Sequence, residues 1–139
     1  ALGIALADID HFKRINDEHS HGVGDRVLER VARIFAERMR ESDLVARYGG
    51  EEFLFCFARS DEAEAARRCE ELRAAGEREH WAQLSPGLQV TMSIGLATLK
   101  DEADASAVLH RADTCLYQAK RLRRDRGGTS ASLRSSPAT

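Results

Sequence analysis

Two apolar runs frame a short polar turn near the middle of the chain. Leu44-Val45-Ala46 leads into Arg47-Tyr48-Gly49-Gly50-Glu51-Glu52, and Phe53-Leu54-Phe55-Cys56-Phe57 follows. Strand-like runs joined through two adjacent glycines predict a hairpin. Earlier, Leu2-Gly3-Ile4-Ala5-Leu6-Ala7 is small and apolar at both alternating sets of positions, which suits a central strand covered on both faces. Residues 25–40 carry Val27, Leu28, Val31, Ile34 and Phe35 at helical spacing, with Asp25 in the N-cap place. The alanine-rich residues 61–79 predict a second helix. Residues 104–120 predict a third, with a stripe of Val108, Ala112, Cys115, Leu116 and Ala119. In residues 88–99, Val90, Met92, Ile94 and Leu96 alternate as in a strand, and Gly95 marks a bulge or a close approach. Residues 11–24 read as a loop or short helix anchored by Phe12 and Ile15, and residues 80–87 show no period.

This order predicts an α+β fold: an antiparallel-rich βαββαβ sheet with flanking helices. In that arrangement the first strand lies beside the hairpin, so Asp8 at its end falls near the Gly-Gly-Glu-Glu turn. Residues 1–126 are expected to form the domain. The Ser/Thr/Ala-rich residues 127–139 are expected to be a flexible tail.

Composition narrows the class. The 139 residues are 42% apolar and 32% charged, as in one soluble globular domain. The net charge is −2, but residues 120–139 hold six Lys/Arg against one Asp, a net of +5, so the rest carries −7. A basic end on an acidic body suits anions at one place, not nucleic acid along a face. Cys56, Cys69 and Cys115 are far apart within apolar patterns, which excludes a CxxC site and suits reduced thiols. No long apolar span appears, so no membrane contact is expected of this domain. The chain opens in mid-pattern without Met, as a piece of a longer protein does.

The candidate chemistry is carried by acidic residues. Asp8-Ile9-Asp10 ends the first strand. One carboxylate is expected to bind a cation and the other to brace the loop, with the Ile9 carbonyl as a further hard oxygen ligand. Glu51 and Glu52 repel each other at the mouth of a buried strand, and a cation or Arg47 would relieve that. The plainer alternatives are a solvated acidic turn and an Asp8 that only caps its strand. His11, His19 and His21 lack zinc-ligand spacing. Arg40-x-x-Asp43 at a helix end is, on its own, a solvated ion pair worth little.

Taken together, five blocks resemble the GGDEF domain, the diguanylate cyclase of bacterial signalling. They are Asp8-Ile9-Asp10-x-Phe12-Lys13-x-x-Asn16-Asp17, His21-x-x-Gly24-Asp25, Arg47-x-Gly49-Gly50-Glu51-Glu52-Phe53, Ser93-Ile94-Gly95-x-Ala97 and Ala112-Asp113-x-x-Leu116-Tyr117-x-Ala119-Lys120. The resemblance implies a sheet like that of nucleotide cyclases and polymerase palms, with a ferredoxin-like core. It implies a nucleotidyltransferase that condenses two GTP into cyclic di-GMP and two pyrophosphates. Asp8, the Ile9 carbonyl, Glu51 and Glu52 would hold Mg²⁺, or Mn²⁺ in its place. Glu51 would also be the general base, and Lys13 would neutralise phosphate charge in the transition state. Gly49 and Gly50 would let the triphosphate lie against the turn, and Lys120 and Arg124 would grip it. Asn16 and Asp25 would read guanine. One GTP per domain implies a homodimer. Arg40 and Asp43 fall at the spacing of the family's inhibitory product site. The resemblance further implies an upstream sensory or regulatory domain and a cytoplasmic setting, with the full-length protein free to be membrane-tethered.

Three departures stand out. The family's Asp-x-Leu-Thr-Gly-Leu…Asn-Arg segment and preceding helix would lie before residue 1. Ser20 stands where the family usually has glycine, and a Ser held at φ > 0 carries strain on the order of 1 kcal/mol. The usual Gly-Arg-Asn after the last helix reads Arg123-Arg124-Asp125. The competing reading is a non-catalytic domain that senses GTP or cyclic di-GMP. The full set of Asp8, Lys13, Asn16, Asp25, Glu51 and Glu52 favours catalysis.

Overall fold

The computed structural model describes residues 2–99, 104–125 and 132–135. Among these, five strands form one sheet: β1 (Leu2–Ile9), β2 (Leu44–Arg47), β3 (Glu52–Ala58), β4 (Met92–Leu99) and β5 (Ser132–Ser135). Their spatial order is β2-β3-β1-β4-β5. β1 pairs antiparallel with both β3 and β4, β2 pairs antiparallel with β3, and β5 joins β4 in parallel. The expected α+β fold is therefore present, with β1 at the centre. Residues 132–135, within the segment expected to be flexible, add a strand to the edge.

Helices cover both faces. The odd-numbered side of β1 (Ala5, Ala7, Ile9) shares a core with Phe53, Phe55 and Phe57 of β3 and with α2 (His21–Ala36) and α3 (Glu62–Arg78). Phe35 meets Phe53 and Phe55 edge-on at 5.3 and 4.9 Å, contacts worth ~0.5–1.5 kcal/mol each beyond their burial. The even-numbered side (Ile4, Leu6) packs with Ala97 against Val108, Ala112 and Leu116 of α4 (Ala105–Asp125). This face ends in Asp8, which places an acidic group at the rim of an apolar layer.

Gly95 shows why α4 sits where it does. A Cβ there would lie 2.2 Å from the Leu116 nitrogen and 2.3 Å from the Ala112 carbonyl oxygen. The helix backbone rides directly on β4, so the close-packing alternative holds at this glycine.

Several boundaries differ from the sequence pattern. Residues 11–24 hold a complete helix, α1 (Phe12–His19), before α2 begins. Asp25 is not the N-cap of α2: Ser20 is, and its hydroxyl accepts the Val23 N–H at 3.2 Å. The apolar period starts at Val23 but gives no sign of a start at His21, because Gly22 and Gly24 are poor helix formers. Ser20 holds φ 114° and ψ 159°, a region that almost only glycine occupies. β4 begins at Met92; Leu88 and Val90 are buried but belong to the preceding turn, where the Leu88 N–H donates to Ser85. Residues 81–83 form a 3-10 turn, and the Trp81 indole N–H donates to the Gly76 carbonyl at 2.7 Å.

Candidate active site

β1 delivers Asp8 to the meeting point of three strands. Its register partners are Glu52 on β3 and Ser93 on β4, and the Ile9 N–H donates to the Glu51 carbonyl at 3.2 Å. Asp8 is 4% exposed. Its Oδ2 accepts from the Lys120 ammonium, and its Oδ1 is buried without a hydrogen-bond partner. Burial pushes the carboxyl up to about 6 from an ordinary 3.8; Lys120 opposes the rise, while Glu51 and Glu52 add to it. The strand end thus gathers negative charge that one half-buried lysine only partly balances. Asp8 and Asp10 stand two apart, which along an unbroken strand would put them on one face. β1 ends at Ile9, and the Asp10 carboxylate turns to the hydroxyls of Thr91 and Ser93. Asp10 braces the strand end and Asp8 meets Lys120; the split comes from the end of the strand after Ile9, not from alternation, which was expected to send the two carboxylates to opposite faces.

The hairpin connection runs over residues 48–51. Tyr48 N–H and Gly49 N–H both donate to the Glu52 carbonyl, at 2.8 and 3.4 Å, and the Arg47 guanidinium donates to the Gly50 carbonyl at 2.7 Å. Arg47 therefore braces the turn's backbone. Neither Gly49 nor Gly50 needs positive φ, and nothing lies within 4 Å of a Cβ at Gly50. Gly50 leaves open space beside Glu51 and Glu52, both half-buried, while a Cβ at Gly49 would touch the Glu52 side chain at 3.5 Å.

Lys13 lies in the first turn of α1 and is exposed. Asn16 follows on the same helix, and Asp25 is exposed on α2. Gly24 brings these two helices together. A Cβ at Gly24 would lie 1.9 Å from Asn16 Oδ1, so only glycine lets the carboxamide rest there, next to Asp25 in sequence. On α4, Lys120 points to Asp8. Arg124 is placed one helical turn further on, but its side chain lies outside the described residues.

The donor chemistry fits a divalent cation. A buried carboxylate with an unpartnered oxygen, register-paired with one glutamate and adjacent to another, is a hard oxygen set with surplus charge. No three His, Cys, Asp or Glu side chains among the described residues are already drawn together as a cage. The Lys120 ammonium takes the cation's part at Asp8.

The sequence profile of the family described as "Diguanylate cyclase, GGDEF domain" matches residues 1–126. The chain belongs to the GGDEF family. It is 40% identical over 125 residues to diguanylate cyclase DgcP of Pseudomonas aeruginosa, covering 90% of this chain and 19% of that protein. It is 42% identical over 118 residues to the response regulator PleD of Caulobacter vibrioides, covering 83% of this chain and 26% of the relative. The GGDEF domain of DgcB from Caulobacter crescentus, solved with c-di-GMP, superposes with a TM-score of 0.84 at 32% identity, over 96% of this chain and 77% of that one. An active GGEEF domain of a diguanylate cyclase from Vibrio cholerae gives 0.85 at 25% identity, over 99% and 84%. The chain spans 19 to 34% of the length of the first curated relatives. Among the described residues, no helix is long and apolar enough to cross a membrane.

A second acidic residue of this GGDEF domain is placed quite differently. In Arg40-x-x-Asp43, Arg40 points outward to Glu64 at 2.8 Å. Asp43 points inward, its side chain 0% exposed, and meets Arg68 of α3 at 2.6 Å. Its Oδ2 also accepts the Arg40 N–H at 2.7 Å. Burial pushes the Asp43 carboxyl up, but the Arg68 and Arg40 contacts outweigh it and hold the group below its ordinary value. Arg68 also donates to the Arg38 carbonyl and lies 4.6 Å over the Phe57 ring. The sequence pattern did not single out Arg68. Its signal was available: Ala65, Arg68, Cys69 and Leu72 fall on one helical stripe, and an arginine inside an apolar stripe calls for a buried carboxylate.

Proposed function

We propose that this domain is a diguanylate cyclase catalytic module, acting as a homodimer on two GTP with Mg²⁺, or Mn²⁺ in its place. The observation that carries the reading is Asp8: a buried carboxylate with a free oxygen, set in register against Glu52 with Glu51 beside it. Asp8, the Ile9 carbonyl, Glu51 and Glu52 would hold the metal, which supplies charge neutralisation at the phosphates when bound. Lys120 then leaves Asp8 and, with Arg124 and the exposed Lys13, binds the triphosphate, which lies across Gly49 and Gly50. Asp25 accepts from the guanine N1–H and 2-amino group, and the Asn16 amide makes the complementary contacts; adenine lacks both donors, which supports selectivity on the order of 10⁴. Glu51 takes the proton of the 3′-hydroxyl. That oxygen bonds to the α-phosphorus of the GTP in the facing domain, and the bond from that phosphorus to the pyrophosphate oxygen breaks. Two such steps give one cyclic di-GMP and two pyrophosphates.

Product inhibition enters through Arg40, and Asp43 joins in reading guanine only on parting from Arg68. Unchanged inhibition by cyclic di-GMP in Arg40→Ala would remove this part. In the longer protein, an upstream sensory or regulatory domain sets the activity, and the cyclase works in the cytoplasm, where GTP is.

The second reading, a GTP or cyclic di-GMP receptor without catalysis, draws on Lys120 clamped to Asp8. Incubation with GTP and Mg²⁺, followed by chromatography, separates the two. Cyclic di-GMP from the wild type and none from Glu51→Ala is the expected result. Nucleotide binding without product, in this chain and in the longer protein, would favour the receptor.

A further inference from the structure

The end of β1 is held by a device outside the residues assigned above to metal, phosphate or base. Asp10 is 4% exposed, one residue past the strand. Its Oδ2 accepts from the Thr91 hydroxyl at 2.7 Å, its Oδ1 accepts from the Ser93 hydroxyl at 2.8 Å, and its N–H donates to the Thr91 carbonyl at 2.9 Å. Ser93 is the register partner of Asp8, and Met92, between the two hydroxyl residues, is the partner of Ile9. The three contacts therefore straddle the Asp8-Ile9 pair.

Sheet stability does not require this clasp. The β1–β4 ladder is already continuous from Leu2 with Leu99 to Ile9 with Met92. Burying a carboxylate is costly, and an apolar pair could close the same strand end without that cost. Asp8, in contrast, has no rigid hold on its own side chain: one oxygen is unpartnered and the other meets a half-buried lysine. The direction of Asp8 and of the Ile9 carbonyl thus depends on the backbone between Ala7 and Asp10, which the clasp fixes to β4.

We propose that Asp10, clasped by Thr91 and Ser93, is a positioning residue that aims the Asp8 carboxylate and the Ile9 carbonyl at the bound divalent cation. The proposal rests on the function given above. It is tested on this chain by titrating Mg²⁺ while following GTP binding, with a parallel titration of GTP in EDTA. Thr91→Val keeps the shape and removes one hydroxyl; Asp10→Asn keeps the size and removes the charge. Each is expected to raise the Mg²⁺ needed for half-maximal binding about tenfold, with GTP binding in EDTA unchanged, the scale typical of residues that orient metal ligands. Thr91→Ser, which restores the hydroxyl, is expected to return within about twofold of wild type.

The proposal is overturned if both variants lower the thermal midpoint yet leave the Mg²⁺ requirement unchanged, or if Thr91→Ser behaves like Thr91→Val. If the wild type binds no GTP with Mg²⁺, the proposed function has failed, and amide exchange decides on the clasp by itself. Protection lost only at residues 8–10 in Thr91→Val supports it, and unchanged protection there overturns it.

Discussion

Asp8 and Asp43 are both buried, each faces one cation, and they are driven in opposite directions. Each leaves its Oδ1 without a hydrogen-bond partner, so an orphan oxygen does not tell them apart. The surroundings do. Burial pushes the Asp8 carboxyl up to about 6; a flexible ammonium that is 31% exposed does not offset this, and two nearby glutamates add to it. Asp43 has a 5%-exposed guanidinium, itself anchored to the Arg38 carbonyl and the Phe57 ring, and is held below 3.8. A planar fork fixed in place is a better partner than a point charge on a long stem. One region is closed as a corner between α3 and the turn before β2. The other is kept short of positive charge, which suits the cation proposed for that strand end.

The largest effect should come from breaking the closed corner. Arg68→Ala leaves Asp43 buried and unpaired and should cost about 3–5 kcal/mol in urea unfolding. A loss below ~1 kcal/mol would mean that the corner is not closed by this pair. Gly95→Ala attacks the other region through its helix. Because the new Cβ meets backbone atoms of α4, it should cost about 3 kcal/mol and separate Lys120 from Asp8.

Asp8→Asn should do the reverse and stabilise the fold by about 3 kcal/mol at pH 8, since a rise of roughly two pKa units is worth about 1.4 kcal/mol per unit. The cyclase activity proposed above should be lost with it. The sign follows from linkage. The folded value of Asp8 lies above the unfolded one, so the native state binds this proton more tightly, and the penalty is full above about pH 6 and fades toward 3.8. The gain of Asp8→Asn over wild type should therefore shrink between pH 7 and 4. Asp43 runs the other way: its contribution is complete above 3.8 and is lost as pH falls through its lowered folded value. Arg68→Ala should accordingly flatten the acid limb of the stability curve, which Asp8→Asn leaves in place.

The smallest effect calibrates both. Ser20→Gly removes strain of about 1 kcal/mol or more and gives up a cap that glycine replaces at a loss of only a few tenths. A net gain of ~1 kcal/mol, constant from pH 5 to 8, is expected, since neither carboxylate is touched.

Much of this was legible from the residues. The period-two and helical patterns located β1, the hairpin strands, α3 and α4, and the order of elements placed Asp8 near the Gly-Gly-Glu-Glu turn. The start of α2 was not legible, because its cap is a serine in a backbone region that serine seldom adopts, followed by two glycines. The inward turn of Asp43 was hidden for a different reason. Sequence spacing shows that Arg40 and Asp43 are near each other, but not that the partner of Asp43 lies on α3. The Asp10 clasp needed the β1–β4 register, which no local pattern contains.

The central place of β1 has a consequence in time. Both of its neighbours come later in the chain, so β1 must wait with two open edges until β3 and then β4 have been made and docked. Strand pairing across such separations is slow, and an apolar strand with open edges is the part most exposed to wrong association during synthesis. Because Asp8 takes its neighbours from both flanking strands, the site matures only with that last docking. A nascent or half-folded chain has no assembled site, and on the function proposed above the onset of nucleotide binding would report that β3 and β4 have both docked on β1.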